Sequence, residues 1–127
     1  MATRQSFTAS QVLTAAEQNA LATAMIAINA QTGTTYTTVL SDDGKLITCS
    51  NAASISVTVP PNSSVAYGIG TQINIAQLGA GTVTITAGAG VTLNSAGAKL
   101  KLDSQYAVAT CVKTDTNTWF VVGNLKA

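Results

Sequence analysis

The groups in this chain able to do acid–base, nucleophilic or metal chemistry are few: five carboxylates (Glu17, Asp42, Asp43, Asp103 and Asp115), two thiols (Cys49 and Cys111) and no histidine. Without histidine the chain lacks the side chain that most often serves as general base and metal ligand near neutral pH. Zinc usually takes four ligands at short, recognisable spacings, and neither the cysteines nor the acids supply such a set. Hydrolysis by paired carboxylates needs two acids facing each other across a cleft. Asp42 and Asp43 are neighbours ahead of Gly44, and adjacent residues on extended backbone point to opposite faces. Their expected role is to start a tight hairpin turn. The glycine clusters spell neither a GxxxxGK phosphate loop nor GxGxxG between a strand and a helix. No catalytic residue, metal site or cofactor is expected, and the chain is predicted not to be an enzyme.

The elements around these groups are strands. Gln77–Ser95 sets the pattern: Val83 and Ile85 alternate with Thr82, Thr84 and Thr86, and Val91 and Leu93 alternate with Thr92 and Asn94. Such alternation gives each run one apolar and one polar face, and the glycines between the runs suit a turn. A β-hairpin is predicted there. Further strands are predicted at 35–40, 45–50, 54–59, 71–78, 99–102, 106–113 and 119–123. Pro60-Pro61-Asn62 stops the strand at Val59, and Asp115-Thr116-Asn117 forms a turn before Trp119. Short strands at near-regular spacing point to a mainly β fold, an antiparallel β-sandwich or barrel of jelly-roll type.

The first third of the chain differs. Residues 1–13 form an extended arm whose large apolar groups are Phe7, Val12 and Leu13. Thr14 and Glu17 fit a capping box, so a helix is predicted from there to about Asn29, with Leu21, Met25 and Ile28 on one stripe. Gln31–Thr34 would end it and link it to the β region. The predicted division is an anchoring and oligomerising segment over 1–33 and a β domain over 34–127.

Of the 127 residues 46% are hydrophobic but only 9% are charged, where about 25% is ordinary. That surface suits half-exposed strands or a skin covered by neighbouring subunits. A net charge of +1 leaves no basic field for nucleic acid. No signal sequence is visible and no apolar run is long enough for membrane insertion, so synthesis and assembly in a cytoplasm are expected. Cys49 and Cys111 are read as buried free thiols, a disulfide between them being the alternative. Trp119 is expected in the core. Tyr67 is the aromatic expected to be exposed, with Asn62, Ser63 and Ser64 as neighbouring surface contacts.

Several strings carry a family resemblance: Tyr36–Ile47 (YTTVLSDDGKLI), Val57–Asn62 (VTVPPN), Gly70–Ile73, Gln77–Ile85 (QLGAGTVTI), Gly90–Ser95 (GVTLNS) and Trp119–Leu125 (WFVVGNL). In this order they resemble a β module of tailed-bacteriophage structural proteins, among them minor tail proteins, tail fibres and head-exposed proteins. Phe7–Ala16 resembles a phrase that often opens tail and fibre modules. The resemblance implies a virion protein assembled in the bacterial host: a small homo-oligomer, expected to be a trimer, attached to capsid or tail by its N-terminal segment. It would display its β domain as capsid decoration, head fibre or minor tail protein. The alternative is a host-surface receptor- or glycan-binding module.

Overall fold

The computed structural model describes Thr14, Ala15 and residues 27–127. Eleven strands run through the described residues: β1 (Ile28–Gln31), β2 (Thr35–Thr37), β3 (Leu46–Cys49), β4 (Ile55–Val59), β5 (Gln72–Gln77), β6 (Val83–Ala87), β7 (Thr92–Ser95), β8 (Lys101–Leu102), β9 (Val108–Asp115), β10 (Thr118–Gly123) and β11 (Leu125–Lys126). They form two packed sheets, one ordered β1-β3-β5-β9-β10-β7 and the other β11-β8-β6-β4-β2. The molecule is a mainly β sandwich, as the alternation predicts, and the sheets do not close into a barrel.

The strands' directions differ from the antiparallel expectation. Five of the nine strand pairings are parallel. The chain changes sheet at every step from β1 to β9, so β1, β3 and β5 stack in one sheet while β2, β4 and β6 stack in the other. These six strands are three flattened coils of a solenoid, each coil contacting its neighbour, the quasi-one-dimensional arrangement of repeat proteins. Two predicted hairpins are crossovers instead. β6 and β7, read as a hairpin, lie in different sheets, and Asp42-Asp43-Gly44 carries the chain from β2 in one sheet to β3 in the other. Asp42 closes a 3₁₀ turn over Leu40–Asp42 there. Alternation reports which face of a strand is buried and is silent about which strand lies beside it. The turn at 115–117 does make a hairpin, between β9 and β10.

Ile28 and Asn29 lie in β1, paired with Leu46 and Ile47, instead of ending a helix. Gln31 is also strand and Thr32–Thr34 is the crossover. Helical spacing of Leu21, Met25 and Ile28 therefore does not extend to its last member. Ala15 is helical, and residues 1–13 and 16–26 lie outside the described residues.

The core lies between the sheets. Ile47, Ile73, Ile75, Trp119 and Val121 from the first sheet meet Ile55, Val57, Val59, Val83 and Ile85 from the second, all nearly or fully inaccessible. These are the apolar members of the alternating runs. In the second sheet their alternating partners are Ser and Thr (Ser56, Thr58, Thr84 and Thr86); in the first they include Gln72, Asn74, Phe120 and Val122.

The crossovers are held by polar groups that do what ladder bonds do within a sheet. Asn51 Nδ2 donates to the Thr32 carbonyl at 2.8 Å, and Asn51 Oδ1 accepts from the Ala53 N–H at 2.9 Å. Its backbone carbonyl accepts from the Gly81 N–H at 2.8 Å. One asparagine thus ties the corners of three successive coils together. Gly81 is required at this corner because a Cβ there would overlap the Ala53 carbonyl.

Candidate functional site

Among the described residues the buried charged side chains, Asp42 and Lys113, lie on one polar path. Asp42 is fully buried, and its carboxylate accepts three hydrogen bonds. Oδ1 accepts from Asn29 Nδ2 at 2.8 Å, and Oδ2 accepts from the Tyr36 hydroxyl at 2.6 Å and the Val39 N–H at 2.9 Å. The Val39 carbonyl in turn accepts from the Tyr67 hydroxyl at 2.5 Å, which also lies 3.0 Å from Thr38 Oγ1. At the other end of the same residue, the Tyr67 carbonyl accepts from Lys113 Nζ at 2.7 Å. Lys113 is buried as well and donates to Asn62 Oδ1 at 2.7 Å. Asn62 is fixed from the side by its own N–H, donated to Asn117 Oδ1 at 2.8 Å.

These groups are partnered among themselves, and none of them lines the hollow at Thr84 and Lys101 or the groove at Phe120 and Val122. Burial and the neighbouring Asp42 push the Tyr36 phenol up to about 12, and burial does the same to Tyr67. Both phenols stay protonated as donors. The path anchors the loops 38–45 and 60–70 to the sheets. A buried carboxylate that holds three donors from Asn29, Tyr36 and Val39 ties these segments together.

Tyr67 corrects a sequence expectation. It is only 4% exposed, and its ring meets Trp119 edge-on at a centroid distance of 5.4 Å. The polarity of its loop suggested exposure, but the ring fills the space beside Trp119 and its hydroxyl finds acceptors at the end of β2. Ser63 and Ser64 are exposed, Asn62 is half-buried and engaged, and Tyr106 is the exposed tyrosine at 73%. Trp119 is in the core, and Cys49 and Cys111 are buried free thiols. Burial raises them to about 11 and about 12. Of the predicted anchor residues, Ile28 stands 59% exposed on β1; Phe7, Val12, Leu13, Leu21 and Met25 lie outside the described residues. No group of three metal-ligating side chains is gathered among the described residues.

What the fold presents to solvent is surface of two kinds. On the β9–β10 hairpin, Val108, Phe120 and Val122 are exposed on adjacent strands, with Phe120 opposite Val112 and Val122 opposite Thr110. A shallow groove of about 260 Å³ borders them, lined by Phe120, Val122, Leu125 and Lys99 among others. The second sheet instead turns out hydroxyls: Thr35, Ser56 and Thr84 stand in one row and Thr37, Thr58 and Thr86 in the next. Ser56 Oγ and Thr86 Oγ1 are 2.9 Å apart. The alternating runs show that these residues face outward; their alignment into rows needed the parallel register.

Together these features define a class: a small two-sheet β protein built of stacked coils, with a hydrogen-bonded polar path buried among the described residues. Comparison with protein-family models, with curated proteins and with solved structures finds no match.

Proposed function

We propose that the protein is a non-enzymatic structural subunit of a bacteriophage virion. It is a small homo-oligomer, a trimer, held on capsid or tail through the N-terminal segment that precedes β1 and presenting its β domain outside as capsid decoration, head fibre or minor tail protein. The observation that carries this reading is the outward face of the β9–β10 hairpin, where Phe120 and Val122 follow one another on one face of β10, Val108 stands on the same face of β9 diagonal to Val122, and Phe120 is 50% exposed. Contiguous exposed apolar residues mark contact surfaces on soluble proteins, and an oligomer would cover them. Support also comes from the 9% charge content, which suits surfaces shared with neighbours, and from the resemblance, whose strings fall on β2–β3, β4, β5–β6, β7 and β10.

Multi-angle light scattering on the full chain tests the reading, followed by co-sedimentation with capsids and with tails. A trimer that binds one of the two particles is expected. A monomer at micromolar concentration that sediments with neither overturns it. Deleting residues 2–13 is expected to leave the protein soluble and abolish attachment.

A further inference from the structure

The second sheet carries one continuous outward row across all five of its strands. Thr35 is opposite Ser56, Ser56 opposite Thr84, Thr84 opposite Lys101, and Lys101 opposite Lys126. Residues directly opposite one another share a face and lie one strand spacing apart, so the row is about 19 Å long at ~4.8 Å per strand. Three hydroxyls are followed by two ammonium groups, with the parallel row Thr37, Thr58, Thr86 beside the hydroxyl end.

The basic end of this row is unusual in its own right. Like charges directly opposite on neighbouring strands repel, yet Lys101 and Lys126 are so placed on β8 and β11. They border a concavity of about 450 Å³ lined by Ser54, Thr82, Thr84, Lys101, Lys126 and Ala127. None of the described aspartates lines it; Ala127, the last residue of the sequence, does, and a terminal carboxylate there would leave the hollow one positive charge in excess. Hydroxyls and cations therefore converge on one hollow in a chain with very few charges to place. An anion seated between the two lysines would turn their repulsion into attraction.

We propose that this face binds a linear anionic polysaccharide of the polyuronate kind. A carboxylate sits between Lys101 and Lys126, and successive sugar hydroxyls exchange hydrogen bonds with Thr84, Ser56 and Thr35 along the row. Three features select this ligand. The outward row contains no aromatic ring, so recognition here works through hydroxyls and charge and not through stacking on a neutral sugar. Two lysines match a polymer with spaced single charges better than the dense phosphates of nucleic acid, which are met by many cations. The row is long and repeated by strand pairing, which suits an extended chain laid across the strands. The inference concerns a different face from the one proposed for assembly and does not depend on it.

Isothermal titration of the full chain with hexagalacturonate tests it, against the fully methyl-esterified hexamer and a polyphosphate of equal charge. Saturable binding of the acid form is expected, at least tenfold weaker for the ester. Lys101→Gln/Lys126→Gln should weaken it at least tenfold, and Thr84→Val several-fold. Unchanged circular dichroism and light scattering of the variants would show fold and assembly intact. Equal binding of acid and ester, wild-type affinity in the double lysine variant, or no saturable binding overturns the site. Polyphosphate binding as tight as the glycan, with Thr84→Val silent, reduces it to a simple charge contact and also overturns the glycan assignment.

Discussion

Lys113 Nζ lies 2.7 Å from Asn62 Oδ1, joining β9 to the loop that follows β4 through a buried ammonium whose two acceptors, this amide and the Tyr67 carbonyl, are both uncharged. A buried cation is tolerated only when well hydrogen-bonded, so this contact decides how the loop 60–70 is held. Lys113→Met keeps an unbranched apolar stem that ends one heavy atom short of Nζ and strands both carbonyl acceptors. It should cost about 2–4 kcal/mol, since each buried polar group left unsatisfied costs about 1–3 kcal/mol. Urea denaturation followed by tryptophan fluorescence measures it, and a loss under about 0.5 kcal/mol would contradict the role given to Lys113.

Trp119→Ala should destabilise the domain by about 3–5 kcal/mol, the usual cost of emptying a large aromatic site in a core. Tyr67 packs edge-on against that ring, so Tyr67→Phe tests a different term. It keeps the ring contact and removes the hydroxyl bonds to Val39 and Thr38, which predicts a smaller loss of about 1–2 kcal/mol. Calorimetric melting of both variants should rank them in that order.

At the corner between coils, Gly81→Ala should be as damaging as a core substitution although the residue added is one methyl group. The new Cβ overlaps the Ala53 carbonyl, and relief means moving the Gly81–Asn51 bond. A loss of about 2 kcal/mol or more is expected. Gly68→Ala is the control, because nothing lies near the position a Cβ would take.

Stability should fall in alkali as the buried thiols and phenols ionise. Burial pushes Cys49 from 9.0 up to about 11 and Cys111 from 9.0 up to about 12; the Tyr36 and Tyr67 phenols go from 10.0 up to about 12. A group whose folded value lies above its unfolded value favours the fold fully below the unfolded value and loses that contribution as pH rises through the folded one. The thiol contribution therefore drains from about pH 9 upward and the phenol contribution from about pH 10, both ending near 12. Urea midpoints between pH 7 and 11.5 check the window. The same burial predicts that neither thiol of the folded protein reacts with a thiol reagent at pH 8, and that both react once it is unfolded.

The amino-acid order by itself determined most of the local structure. All nine predicted strands from Thr35 onward are present, because apolar–polar alternation and Gly, Pro and Asn punctuation are local properties of the backbone. The burial of Trp119, Val57 and Ile85 was equally legible, as was the turn at 115–117. β1 and β11 were not: Ile28–Gln31 lies where alanine-rich helix formers and a helical spacing dominate the reading, and Leu125–Lys126 is too short to show a period.

Only the tertiary structure decided who pairs with whom. Turn composition at Asp42-Asp43-Gly44 and Gly88–Gly90 suits a hairpin and a sheet-to-sheet crossover alike, so the parallel stacking of β2, β4 and β6 had no local signature. The coils differ in length, since Ile28 pairs with Leu46 and Leu46 with Asn74, which removes the regular repeat that would have announced a solenoid. Tyr67 illustrates the same limit: its loop is polar, and its place beside Trp119 depends on residues distant in sequence. The alignment of Thr35, Ser56, Thr84, Lys101 and Lys126 into one row likewise exists only once the strands are in register. Alternation is a property of one strand, whereas a surface belongs to several, and their contacts are set by the packing of the whole core.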